Sequence, residues 1–160
     1  STPIKSSAAS DVYKRQCEAL LYAAARAQHL SDTVQPALER GELVLCDRYV
    51  GSSYAYQGFG RGLDIKFLKN INEYAVQHFM PDVTLFLNIP PRLAFERKHG
   101  ADENDRIEQA GEAFHRRVYE GYLQLLQEYP EEIVPVDCSG SKFETSAKIV
   151  SLLQGRGIIA

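Results

Sequence analysis

Asp47 and Arg48 close a short apolar run, Leu43, Val44, Leu45 and Cys46, and of all the residues in this chain they are the pair best suited to phosphate chemistry. An arginine presents a planar fork of donors that matches a phosphate, and a carboxylate beside it can hold Mg²⁺ or orient a hydroxyl. After the pair come Ser52, Ser53, Tyr54, Tyr56 and Gln57, then Gly58, Gly60 and Gly62 around Arg61. Hydroxyls, an amide and aromatic faces can hydrogen-bond the edge of a base and pack its ring. The string therefore reads as a nucleobase site joined to a phosphate site. Taken alone, an Asp-Arg-Tyr triplet is more often an ordinary strand followed by a polar, glycine-rich loop.

Two further groups could take part. Tyr22 and Arg26 are four residues apart in a helical pattern and so share one face, either as a ligand-facing pair or as a half-buried aromatic beside a solvated cation. Residues 97–106 are rich in charge and contain Gly100. Such a run is either a solvated connector or a lid whose cations close over transferring phosphates.

The elements that must position these groups follow from periodicity. Residues 43–46 read as a strand buried on both faces, with the charged pair at its carboxyl edge, where open α/β sheets bind ligands. Residues 17–40 carry apolar side chains at three- and four-residue steps (Leu20, Leu21, Ala24, Val34, Leu38) and stop at Arg40 and Gly41. Further helices are expected over 65–79, from Pro90 and Pro91 to Lys98, over 107–129, and over 143–153 with Gly155 as the cap. Further strands are expected over 83–89 and 133–136. Strands alternating with helices predict an α/β fold with a parallel sheet.

At 160 residues the length suits one domain, and 44% hydrophobic with 24% charged residues is ordinary for a globular protein. A net charge of −3 offers no general surface for a polyanion, so a nucleic-acid partner would be a small nucleotide and not a polymer. No apolar run reaches the roughly 18 residues of a membrane span. Cys17, Cys46 and Cys138 show neither a disulfide framework nor zinc spacing. These features predict a cytoplasmic, reduced protein. His78 and His99 have no metal-ligand neighbours in sequence. Residues 1–16 are polar and aperiodic and are expected to be a non-native or disordered leader before a domain over 17–160. DVYKRQ, at residues 11–16, is also what GATGTGTATAAGAGACAG encodes, a transposon-end sequence used in library preparation.

The longer string DRYVGSSYAYQGFGRGLD resembles the thymidylate kinases, as do LLYAAARAQHLSDTVQPAL at residues 20–38, DRIEQ at 105–109 and FHRRVYEGYLQL after it. The resemblance implies a P-loop NTPase-like parallel sheet with flanking helices, transfer of the ATP γ-phosphoryl to dTMP with Mg²⁺, and a homodimer. It places Asp47 at metal and phosphate, Arg48 on the dTMP phosphate, Tyr22 under thymine and Arg26 at its edge. Ser53, Tyr56 and Gln57 would hold base and sugar. Arg97 and Arg106 would be the lid arginines, with Lys98 behind them, and the loop of Asp137, Ser139 and Gly140 would lie near adenine. An Asp-Arg pair after a strand also suits other nucleoside and nucleotide kinases, and a thymidine-nucleotide binder that does not use ATP would share the same residues.

One part of such a kinase is missing from these residues. A Walker A loop, G-x-x-x-x-G-K-[ST], holds ATP phosphates with its backbone amides and lysine. None of the seven lysines, at 5, 14, 66, 69, 98, 142 and 148, follows a glycine. The fold is accordingly expected to be incomplete, without its central first strand and P-loop. The chain is expected to be a fragment that folds poorly and is inactive alone, because unpaired buried backbone groups cost about 1–3 kcal/mol each.

Overall fold

A computed structural model describes residues 7–77, 79–98 and 111–160. The chain forms two compact units, Ser1–Met80 and Pro81–Ala160, where length alone indicated one domain.

The first unit is helical. Helix α1 (Ser7–His29) begins ten residues before the expected start at Cys17, so residues 7–16 continue the helix. It passes into a π-helical turn, Leu30–Val34, and then into α2 (Gln35–Glu39). Pro36 explains the wide turn: proline supplies no N–H and its ring crowds the carbonyl four residues back, which a looser i→i+5 pattern relieves. Gly41, at φ 76°, ends the helix as the sequence indicated.

The buried face of α1 and its continuation is not the expected one. Ala19, Ala23, Leu30, Val34 and Ala37 point inward, while Leu20, Leu21 and Leu38 are exposed. Small side chains let α1 approach α4 (Ile65–Val76) closely, and that approach decides which face is covered. Helix α4 is capped by Asp64, whose Oδ1 accepts the Phe67 N–H at 2.9 Å, and it stops with Gln77 in the left-handed region, short of the expected Phe79.

Residues 43–46 differ most from expectation. They form no assigned element, and among the described residues no strand pairs with them. Val44 packs on the cluster of Leu30, Val34, Val50 and Val76, whereas Leu43 and Leu45 are 59% and 84% exposed and Cys46 is exposed. An apolar run records which faces could be buried. Forming a ladder further requires a neighbouring backbone, and among the described residues none pairs with this run.

The segment after Tyr49, for which a polar, glycine-rich loop was the alternative reading, is helical: α3 (Val50–Ser53) runs into a π-helical stretch, Tyr54–Gly60. Gly58 permits the packing there, since a Cβ on it would collide with Ile65 Cδ1 and sit 3.2 Å from Leu68 Cδ1. Leu68 is fully buried beside Ala19 and Leu63.

The second unit holds the described sheet, with β1 (Thr84–Asn88) parallel to β2 (Ile133–Asp137) and Thr84 opposite Ile133 through Asn88 opposite Asp137. The connection carries α5 (Pro91–Lys98) and α6 (Glu112–Glu128), and α7 (Lys142–Gly155) follows β2. Phe86 stacks on Tyr122 of α6 at 5.1 Å, and Val118, Leu125 and Val136 are buried in this unit. Ser141 and Glu144 form a reciprocal capping box on α7. Gly155 is that helix's last residue and not its cap; Gly157, at φ 69°, supplies the left-handed turn.

Gly58→Ala should lower stability by about 1–3 kcal/mol, the range for overpacking. Ile65→Val removes the methyl in the way, so the double variant should lose less than the sum of the two single losses in denaturant unfolding; strict additivity would refute this account. Leu45→Ser should leave stability within about 0.5 kcal/mol and raise the concentration at which light scattering detects aggregation. A loss of core size would show Leu45 to be covered.

Candidate functional site

In the first unit the sequence-predicted residues gather around the serine pair of α3. Arg26 of α1 donates through Nη2 to Ser53 Oγ at 3.1 Å and to the Tyr49 carbonyl at 3.4 Å, and through Nη1 to Asn72 Oδ1 of α4. Its guanidinium lies 5.6 Å from the Tyr49 ring centroid. Burial pushes the Arg26 pKa below its usual value, and the Tyr49 side chain opposes that shift. Tyr49 is anchored in turn by its hydroxyl, which donates to the Phe79 carbonyl at 2.7 Å. Burial raises the Tyr49 pKa.

Arg48 is held by the adjacent serine. Its Nε donates to Ser52 Oγ at 3.4 Å, and its guanidinium sits 4.4 Å from the Tyr56 ring centroid. The backbone of Arg48 is left-handed at φ 69°, a conformation that costs a non-glycine residue about 1–3 kcal/mol and recurs at functional sites. That turn separates the apolar run from α3. Asp47 beside it is exposed.

Gln57 is placed differently from the others. It is buried, and its Nε2 donates to Glu18 Oε1 of α1 at 3.3 Å; the other Glu18 oxygen meets Arg61 Nη1 at 3.3 Å. Tyr22 is half exposed on α1, in a groove with Lys14, Cys17, Glu18, Leu21 and Ala25. Thus Arg26, Arg48, Ser53 and Tyr56 come together on one framework, Gln57 is tied to Glu18, and Tyr22 and Asp47 stand open. Asn72 and Glu18 were missed in the sequence. The available signal for Asn72 was its place between Leu68 and Val76 at four-residue spacing, a polar residue inside an apolar stripe.

In the second unit Arg97, expected as a lid arginine, reaches the loop after β2. Nη1 donates to the Cys138 carbonyl at 2.8 Å, and Nη2 donates to the carbonyls of Ser139 and Gly140, the latter at 2.9 Å. Three backbone carbonyls thus converge on one guanidinium. Asp137 accepts from Lys148 Nζ at 2.7 Å and from the Ser139 N–H at 3.0 Å, and these bonds hold its carboxyl well below the usual range. Arg106, His78, His99 and the Lys98 side chain lie outside the described residues. Among the described residues there is no group of three potential metal ligands, and no helix is long and apolar enough to cross a membrane.

A parallel strand pair with helices between and after its strands, and a separate framework of arginines, hydroxyls and aromatic rings following an Asp-Arg pair, are features of an α/β protein with cationic groups suited to phosphate. The family model described as thymidylate kinase matches residues 4–149, a span that begins within the segment set apart above as a leader. The chain is 43% identical over 142 residues to the thymidylate kinase of Finegoldia magna, covering 89% of this chain and 70% of that protein. It is 41% identical over 146 residues to the thymidylate kinase of Synechococcus sp. strain JA-2-3B'a(2-13), covering 91% and 69%. It is likewise 41% identical over 150 residues to that of Lactobacillus helveticus, covering 92% and 71%. The chain belongs to the thymidylate kinase family, whose members are kinases of the P-loop NTPase fold with ATP as phosphate donor.

The Asp137 bonds give a pH expectation. Its folded pKa lies below the ordinary 3.8, so the stabilisation is present above that value and fades as pH falls through and below it. Solvent exposure keeps the effect small. Asp137→Asn should flatten the acid limb of the exchange protection at the Ser139 amide; an unchanged acid limb would show the contact to be inconsequential.

Proposed function

We propose that the first unit binds dTMP and that the chain serves a kinase transferring the ATP γ-phosphoryl to the dTMP phosphate, giving dTDP and ADP. The observation that carries this reading is that Arg26 and Arg48 are both fixed by neighbouring hydroxyls of one short helix, Ser53 and Ser52, with Tyr56 beneath Arg48. Guanidiniums held by neutral partners keep their positive charge available for an incoming nucleotide.

Arg48 binds the dTMP phosphate, which its fork matches. Arg26 meets the edge of thymine, Tyr22 covers the ring, and Ser53, Tyr56 and Gln57 bound the base and sugar. Asp47 is the residue that would hold Mg²⁺; one exposed carboxylate suits an ion that takes its remaining ligands from phosphates and water. The ion would offset phosphate charge as it develops. Arg97 and Arg106 are the arginines that the family resemblance assigns to stabilising phosphate charge. Phosphoryl transfer further needs an ATP-phosphate loop of the Walker A kind, and these 160 residues contain none.

The test combines binding with turnover. Calorimetry should show this chain binding dTMP, with no dTDP formed on adding Mg-ATP. Joined to an amino-terminal segment carrying a strand and a Walker A loop, it should form dTDP. Arg48→Ala should weaken dTMP binding by about tenfold to a hundredfold, the worth of a charged hydrogen-bonded contact, and Arg48→Lys should restore only part of it. If the joined protein fails to phosphorylate dTMP, the assignment is overturned.

A further inference from the structure

We propose that Asn72 is a positioning residue for the nucleotide site: it fixes the Arg26 guanidinium without neutralising it, so that the cation selects a base presenting a carbonyl edge. The inference rests on the reading of Arg26 as a base contact.

Asn72 is 1% exposed and stands between Leu68 and Val76 on the packed face of α4. Its Nδ2 donates to the Leu68 carbonyl at 2.8 Å, which leaves Oδ1 as the atom turned to Arg26. Both ends of the amide are thereby determined, since a carbonyl accepts only from the NH₂ and a guanidinium donates only to the oxygen. The other acceptors on Arg26, Ser53 Oγ and the Tyr49 carbonyl, are also neutral. The groups that counter the effect of burial on Arg26 are Tyr49, Tyr54 and Cys46, none of them a carboxylate.

An aspartate at position 72 would have nearly the same shape and would accept from Arg26 with a full negative charge, while losing the bond that Nδ2 donates to the Leu68 carbonyl. Such a pair would hold the guanidinium more strongly and cancel its field at the ligand. With asparagine, one Nη1 hydrogen and the Nε hydrogen remain beyond the bonds described above. Those donors suit a pyrimidine carbonyl and oppose an exocyclic amine, so thymine is accepted over cytosine.

Calorimetric titration of the wild-type chain with dTMP and with dCMP, repeated on Asn72→Asp, tests this. The variant should melt below the wild-type temperature, since the bond to the Leu68 carbonyl is lost, and in its folded form should lose about tenfold of the preference for dTMP over dCMP. An unchanged preference in a folded variant overturns the role of Asn72 alone. A wild-type chain that does not bind dTMP overturns the base-contact reading itself. Should the variant not fold, nitrogen-15 spectra of the wild type decide. Arg26 guanidinium signals already restricted in rotation without ligand, and shifting on dTMP addition, support the proposal; freely averaged signals overturn it.

Discussion

A half-buried guanidinium without a carboxylate beside it is costly to keep charged, and the first unit is built around meeting that cost with dipoles. Three elements converge on Arg26: α1 supplies it, the residues leading into α3 supply the Tyr49 carbonyl and the Ser53 hydroxyl, and α4 supplies the Asn72 amide. Each hydrogen bond individually contributes only about 1–3 kcal/mol. Together they lock the mutual placement of three helices, because losing any one acceptor leaves a buried donor unsatisfied. Among the described residues no buried side-chain nitrogen or oxygen lacks a partner. The bonds proposed to present Arg26 to a nucleotide and the bonds that pack this unit are thus one set.

Backbone geometry serves the same arrangement. The left-handed turn at Arg48 ends the apolar run, and the wide helical stretch through Gly58 lets Tyr56 lie under Arg48 while Gln57 turns to Glu18. A regular α-helix has 3.6 residues per turn, and a π-helical stretch changes which neighbours share a face. This is why a glycine-rich string that reads as a loop can be an ordered part of a site.

Composition and spacing made much of this legible. The strands at residues 84–88 and 133–137 and the helices after them emerged from periodicity with their ends displaced by a few residues, because apolar side chains there do face a core. The Asp-Arg pair and the Ser-Tyr-Gln string were legible as chemistry because their residue types are uncommon together. What remained hidden depended on partners. Residues 43–46 are apolar enough for a buried strand, yet pairing is a property of two segments. On α1 large leucines dominate the pattern, yet the alanines are buried, since close helix approach rewards absent atoms. Asn72 was hidden for the opposite reason: a polar residue in an apolar stripe declares its role only when its partner is seen.

The parallel pairing of β1 with β2 has a consequence for the order in which this chain acquires structure. Residues 84 and 133 must meet across a connection that includes two helices, so the ladder forms only after a long closure, whereas the helices on either side can form from local contacts. The backbone of residues 138–140 leaves β2 directly, and its three carbonyls take their aim from the strand register. The grip on Arg97 is therefore assembled late, and a slip of one residue between the strands would turn those carbonyls away from it.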